Sequence, residues 1–290
     1  MKPVEGPVAP PRRARLRVVE VMGKGGRELG CFLCPSGVCV GWDGSLYVCD
    51  TLNHRVQKIT PKGEVFGLGR RGEGWAEFQR PHGVAVNGGR IYIVDSGNHR
   101  VQIFNMSGSF VKAFGAHGPF VAFFEGPSGA ALDSKGFLYV ADTGNDRVQK
   151  FGSDGEFVAE FGGRLGGFVE FRRPLGVGIG PEDEVYVADT LNNRVVHLRP
   201  DGSVKRTIGA DLLNDPADVA VDSEGFIYVA ERGGARLVVL DPEGKLFATI
   251  SGDGRGVGPF GALLGVALSP EGRVYVTDST RHRIIGLEWR

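Results

Sequence analysis

The residues best able to do chemistry in this sequence are six histidines, four cysteines and a recurrent acid–arginine pair. Cys31 and Cys34 have the C-x-x-C spacing used in redox and zinc sites. A second C-x-x-C is absent, and the remaining cysteines fall in slots that explain themselves. Cys39 takes a position held elsewhere by Ala85, Ala131 and Ala220, and Cys49 one held by Ala141, Ala188 and Ala230. Thiols that alternate with alanine read as small core residues, so neither a zinc site nor a disulfide is expected.

The histidines are His54, His82, His99, His117, His197 and His282. Three of them, His54, His99 and His282, stand directly before an arginine of the recurrent pair. Those pairs are Asp50/Arg55, Asp95/Arg100, Asp142/Arg147, Asp189/Arg194 and Asp278/Arg283, with Glu231/Arg236 as the variant form. A feature present in every unit reads as scaffold: a hydrogen-bonded ion pair that pins a loop. Asn53, Asn98, Asn145 and Asn192 are expected to bond the backbone of that loop. No G-x-S-x-G elbow, P-loop or H-E-x-x-H occurs. The glycine run Gly23-Lys-Gly-Gly26 has no helix behind it to present an N-terminus to phosphate.

The pairs recur because the chain repeats. The run Tyr92-Ile-Val-Asp95…Asn98-His99-Arg100-Val101 returns around Tyr47, Tyr139, Tyr186, Tyr228 and Tyr275, and these are all the tyrosines there are. The arginine-to-arginine intervals are 45, 47, 47, 42 and 47 residues. Each unit reads as four short strands. Gly83–Val86 is small and apolar, as a crowded central position requires; Arg90–Asp95, Val101–Phe104 and Phe110–Phe114 follow, joined by glycine turns such as Ser107-Gly108. Four antiparallel strands per repeat of this length describe a propeller blade. The sixth unit stops after its third strand, while Leu16–Met22 upstream has the pattern of an orphan fourth strand. Donating that strand to the last unit pairs both open sheet edges. The expected fold class is therefore all-β: a six-bladed propeller over residues 15–290, closed by its N-terminal strand, behind a Pro/Arg-rich tail at 1–14.

The pattern Pro-x-Gly-Val-x-Val…Gly-x-Tyr-Val-x-Asp-x-x-Asn-His-Arg-Val-Gln resembles the NHL repeat, with Asn53-His54-Arg55 and Asn98-His99-Arg100 as full copies. The resemblance runs over about residues 16–289. It implies the propeller fold, and a function among several: RNA-binding modules of tripartite-motif ubiquitin ligases, an amidating lyase, or sensor domains. In the lyase branch, zinc is held by histidines that follow a proline at the start of inner strands. The matching positions here are Ser36, His82, Ser128, Leu175, Ala217 and Leu264. One histidine cannot make that site, so the resemblance implies no zinc lyase, and no metal or cofactor is expected.

Lys plus Arg equals Asp plus Glu, 34 against 34, which gives no global pull toward nucleic acid or an anionic surface. The first fifteen residues lack an apolar core of the secretory type, and no apolar run approaches the ~20 residues of a membrane span. The expected setting is cytoplasmic, as a monomer, with no membrane partner.

What remains is the face carrying the fourth-to-first and second-to-third loops. Its non-repeated residues are Arg70, Arg71, Arg80, His82, Phe120, Phe123, Arg164, Arg172 and Arg173. The reading is a non-catalytic platform for a protein or peptide bound there. A second reading is single-stranded RNA held by the basic sector. A third is a metal-dependent lyase or hydrolase acting at the central channel.

Overall fold

The computed structural model describes residues 15–87, 89–163, 169–252 and 257–290. The expected tail at 1–14 and Arg164 lie outside the described residues.

Six four-stranded antiparallel sheets are arranged around an axis. Blade 1 comprises Pro35–Val40, Leu46–Asp50, Arg55–Ile59 and Val65–Leu68. Blade 2 comprises Pro81–Asn87, Arg90–Asp95, Arg100–Asn105 and Phe110–Phe114. Blades 3 to 5 repeat the pattern, with inner strands Ala130–Leu132, Gly176–Ile179 and Pro216–Val221. Blade 6 has Leu263–Leu268, Val274–Asp278 and Arg283–Trp289, and Leu16–Met22 is its outer strand. Leu16 pairs with Trp289 and Met22 with Ile284, so the ring closes through the N-terminal strand.

The second strand of every blade is buried on both faces, as in Leu46–Asp50 and Val185–Asp189. Its side chains pack alternately against the two neighbouring blades. Tyr139 and Val187 share one cluster, while Tyr186 and Val229 share the next. Apolar layers therefore run around the ring between sheets, as stacked twisted sheets require.

Close approach at the axis explains the glycines of the inner strands. A Cβ on Gly37 would stand 2.4 Å from His82 O, one on Gly83 2.2 Å from Ser128 O, and one on Gly265 2.5 Å from Ser36 O. Only glycine allows the neighbouring backbones to lie that close.

Candidate functional site

Each acid–arginine pair is the centre of a hub. Asp50 Oδ2 accepts from Asn53 Nδ2 at 2.8 Å, Arg55 Nε at 2.8 Å and Gln57 Nε2 at 2.9 Å, while its Oδ1 accepts the Leu33 N–H at 2.7 Å. Asp95 does the same with Asn98, Arg100, Gln102 and the Gln79 N–H. Asp142, Asp189 and Asp278 hold Arg147, Arg194 and Arg283 at 2.7–2.9 Å, and Glu231 pairs with Arg236. The acids are fully buried. The hub also reaches beyond the second-to-third loop, because Oδ1 ties down the loop that leads into the same blade. The asparagines differ from the expectation in the same way. Asn53, Asn98 and Asn145 donate to Gly26 O, Gly72 O and Gly118 O, all in lead-in loops rather than their own. The physical reason is distance: a short amide on a 3₁₀ turn faces the adjacent loop at the rim.

The hubs make the loop face rigid, and that face carries the candidate binding residues. Phe120 is 68% exposed and Phe123 38%, their rings edge-to-face at 6.0 Å. The carbonyls of both residues are gripped by Arg147 Nη2 at 2.7 and 2.9 Å, so the hub fixes the backbone that presents them. Arg71, Arg80, Arg172 and Arg173 are exposed, and no carboxylate among the described residues pairs with them. Arg70 differs: it is spent on Glu77, across the short parallel pairing of Arg70–Arg71 with Glu77–Phe78. His82 is partly buried at the start of the blade 2 inner strand. Burial, with Arg232 and Arg80 nearby, pushes its imidazole down to about 4.

The repeat reading passed over Trp75, Leu52 and Leu191, which stand exposed on the same face. Trp75 stacks on Phe110 at 4.8 Å. Its signal was available, since no other lead-in loop carries a tryptophan.

The structure also gathers His99, His117 and Glu125, whose ligand atoms lie within 4.8 Å of one another. His117 Nε2 contacts Glu125 Oε2, and the two imidazoles meet edge-to-face at 4.5 Å. The hydrogen bonding argues against a ready metal site. His99 Nδ1 accepts the Gly126 N–H at 3.0 Å, which places the ring proton on Nε2. A metal on either ring nitrogen would cost the bond from Gly126 N–H. The trio is better described as a hydrogen-bonded patch beside Phe120 and Phe123.

The four cysteines are free. Cys49 is buried, and Cys39, like Ala85, Ala131 and Ala220 in the same repeat slot, stands in the channel wall and packs against a core cluster. Burial raises both thiols, which leaves them poor nucleophiles. No helix among the described residues is long and apolar enough to cross a membrane.

Comparison with known proteins places this geometry. The chain is 36% identical to protein brain tumor of Drosophila melanogaster over 118 residues, 39% of this chain and 11% of that protein. It is 29% identical to the B-box type zinc finger protein ncl-1 of Caenorhabditis elegans over 136 residues, 44% of this chain and 15% of that one. The match thus spans a small part of each relative. Among solved structures, a gluconolactonase of Xanthomonas campestris superposes with a TM-score of 0.68 at 16% identity, covering 95% of this chain and 90% of that one. A streptogramin B lyase superposes with a TM-score of 0.63 at 12% identity, covering 96% and 98%. At such identities the likeness is one of fold alone. The NHL-repeat model matches residues 32–59, 78–104, 124–151, 171–198, 213–240 and 260–287, more than half of the sequence. The chain belongs to the NHL-repeat family.

Proposed function

We propose that the chain is a non-catalytic interaction module that holds a protein or peptide segment on its loop face. One observation carries this reading. Phe120, Phe123 and Trp75 stand exposed on a hub-stiffened surface that also presents Arg71, Arg80, Arg172 and Arg173 without acidic partners among the described residues. Exposed aromatics next to unspent arginines are the side chains that dominate binding energy at protein interfaces. A rigid ring loses little entropy on binding. The matching partner is a segment with an apolar anchor flanked by acidic side chains.

The experiment is capture from nuclease-treated lysate, followed by cross-linking to map the contact. A protein cross-linked to the loops around residues 71–80 and 117–125, and lost from Phe120→Ser and Trp75→Ser, supports the reading. Contacts confined to the opposite face contradict it.

A second reading is single-stranded RNA, favoured by the same arginines and phenylalanines, which suit phosphates and stacked bases. It is tested by the anisotropy of a labelled 12-mer. Affinity that falls steeply between 50 and 200 mM salt, and is lost in the R71A/R80A/R172A/R173A variant, would make RNA the partner.

A further inference from the structure

The inner strands enclose a central channel of about 320 Å³. Its wall is formed largely by valines, alanines and strand backbone. At the position where five blades carry Gly37, Gly83, Gly129, Gly176 and Gly265, blade 5 carries Asp218. The five glycines are packing requirements, since their Cβ atoms would lie 2.2–2.6 Å from atoms of the neighbouring blade. Asp218 is thus the single place in that ring where a side chain stands, and it is a carboxylate.

That carboxylate has no cation beside it. Its Oδ2 accepts the Val266 N–H at 3.0 Å, and the Val219 N–H also faces it. Both donors are neutral, and a carboxylate accepts about four hydrogen bonds. Among the described residues no Lys, Arg or His lines the channel, and Cys39 is the only other titratable side chain in its wall. The inner strands on either side, Gly176–Ile179 and Leu263–Leu268, carry no ionisable residue. Glu231, on the strand paired with it, is occupied by Arg236. Asp218 is partly covered at the channel wall, and a carboxylate that faces only neutral donors there is favoured by a positive group that joins it. Burial accordingly pushes Asp218 up to about 7.

We propose that the central channel is a binding site for a small primary amine, with the ammonium group paired to Asp218 and a compact apolar body against the valines. A divalent cation suits the channel less well. Calcium takes six to eight oxygen ligands, and Asp218 is the only carboxylate in the wall among the described residues. An ammonium needs only three acceptors, of which Asp218 supplies the charged one.

The test uses n-butylammonium chloride at millimolar concentration, followed through the methyl signals of Val38, Val84, Val177, Val219 and Val266, with 1-butanol and calcium chloride as parallel arms. At pH 8 the amine should shift these signals saturably. At pH 5.5, where most of Asp218 is protonated, the apparent affinity should fall about 30-fold. D218N and D218G should each weaken binding at least about tenfold. D218G restores the glycine of the other blades, so it separates loss of the carboxylate from loss of the fold. The proposal is overturned if butanol binds as well as the amine, if calcium saturates the site and the amine does not, if D218G binds like the parent, or if no saturable shift occurs at pH 8.

Discussion

His282 Nδ1 accepts the backbone N–H of Cys34 at 3.1 Å, joining the last blade to the first across 248 residues of sequence. The same bond recurs around the ring. His54 holds Arg80 N–H, His99 holds Gly126 N–H, and the carboxylate of Asp146 and amide oxygen of Asn193 hold Arg173 and Asp215. Every held residue precedes a proline and has φ between 47° and 56°, a left-handed conformation that costs free energy at a non-glycine. The latch and the strained residue thus come together. They are also lost together: blade 5 has Ala235 at the acceptor slot, and Ala262 in the next lead-in loop precedes leucine and bonds Thr280 instead.

The repeated histidine is therefore a neutral acceptor, and its replacement should follow that chemistry. His282→Ala is expected to destabilise the propeller by about 1 kcal/mol, the cost of leaving the part-buried Cys34 N–H without its partner. His282→Asn should recover most of this, because Asn193 already does the same job. Urea unfolding of both variants checks it. Equal loss in the two would mean that ring packing, and not the accepted bond, is what His282 contributes.

The closing strand makes a second expectation. Leu16 and Val18 pack in the blade 6 core with Leu287 and Trp289. Removing residues 1–14 should leave the melting temperature unchanged, whereas removing 1–23 exposes the edge of Arg283–Trp289 and should cause unfolding or association. Thermal melts with light scattering distinguish the outcomes, and equal melts for both truncations contradict closure by this strand.

Glycine substitutions separate packing from backbone strain. Gly83→Ala would drive a methyl to 2.2 Å from Ser128 O, and several kcal/mol of destabilisation or failure to fold is expected. Gly63→Ala sits in a turn at φ 83° with nothing within 4 Å, so it should cost only about 1 kcal/mol of left-handed strain. Chemical denaturation of the pair checks the order. Comparable costs would remove the close-approach account of the axial glycines.

The fold was legible because a repeat reports the same physics six times. Tyr47 and its counterparts, the Asp50/Arg55 spacing and the turn glycines each agree with one blade geometry. Closure was legible as a missing strand at one end and a surplus one at the other. The loop face was half legible: Phe120 and Phe123 stood out as additions to the pattern, but the capture of Arg70 by Glu77 depends on a local parallel pairing that spacing does not encode. The His99, His117 and Glu125 patch joins two loops whose approach is tertiary. Asp218 breaks a column of glycines, a signal the repeat reading passed over, and its meaning needed the channel around it.

The pH dependence of stability follows from groups displaced in opposite directions. Burial lowers His54, His82 and His197 below the ordinary value of 6.5, and takes His82 to about 4. For a lowered base, the unfolded chain binds the proton first, so stability falls as pH drops below about 6.5, and for His82 it continues to fall toward about 4. Asp218 is raised, so its contribution is lost in the other sense, as pH rises from about 4 to about 7. Asp142 and Asp222 are raised as well and act with Asp218, whereas the lowered carboxylates Asp43, Asp183 and Glu184 act with the histidines, so both senses are present and the acid slope below pH 6.5 that belongs to His82 is read from its own variant. His82→Gln should make that slope shallower, while D218N should make the protein more stable at pH 8 with little effect at pH 4. Urea midpoints measured at half-unit intervals check both signs. A His82→Gln profile parallel to the parent would show that His82 takes up its proton equally in the folded and unfolded chains, and that its enclosure against Arg80 and Arg232 does not hold it neutral.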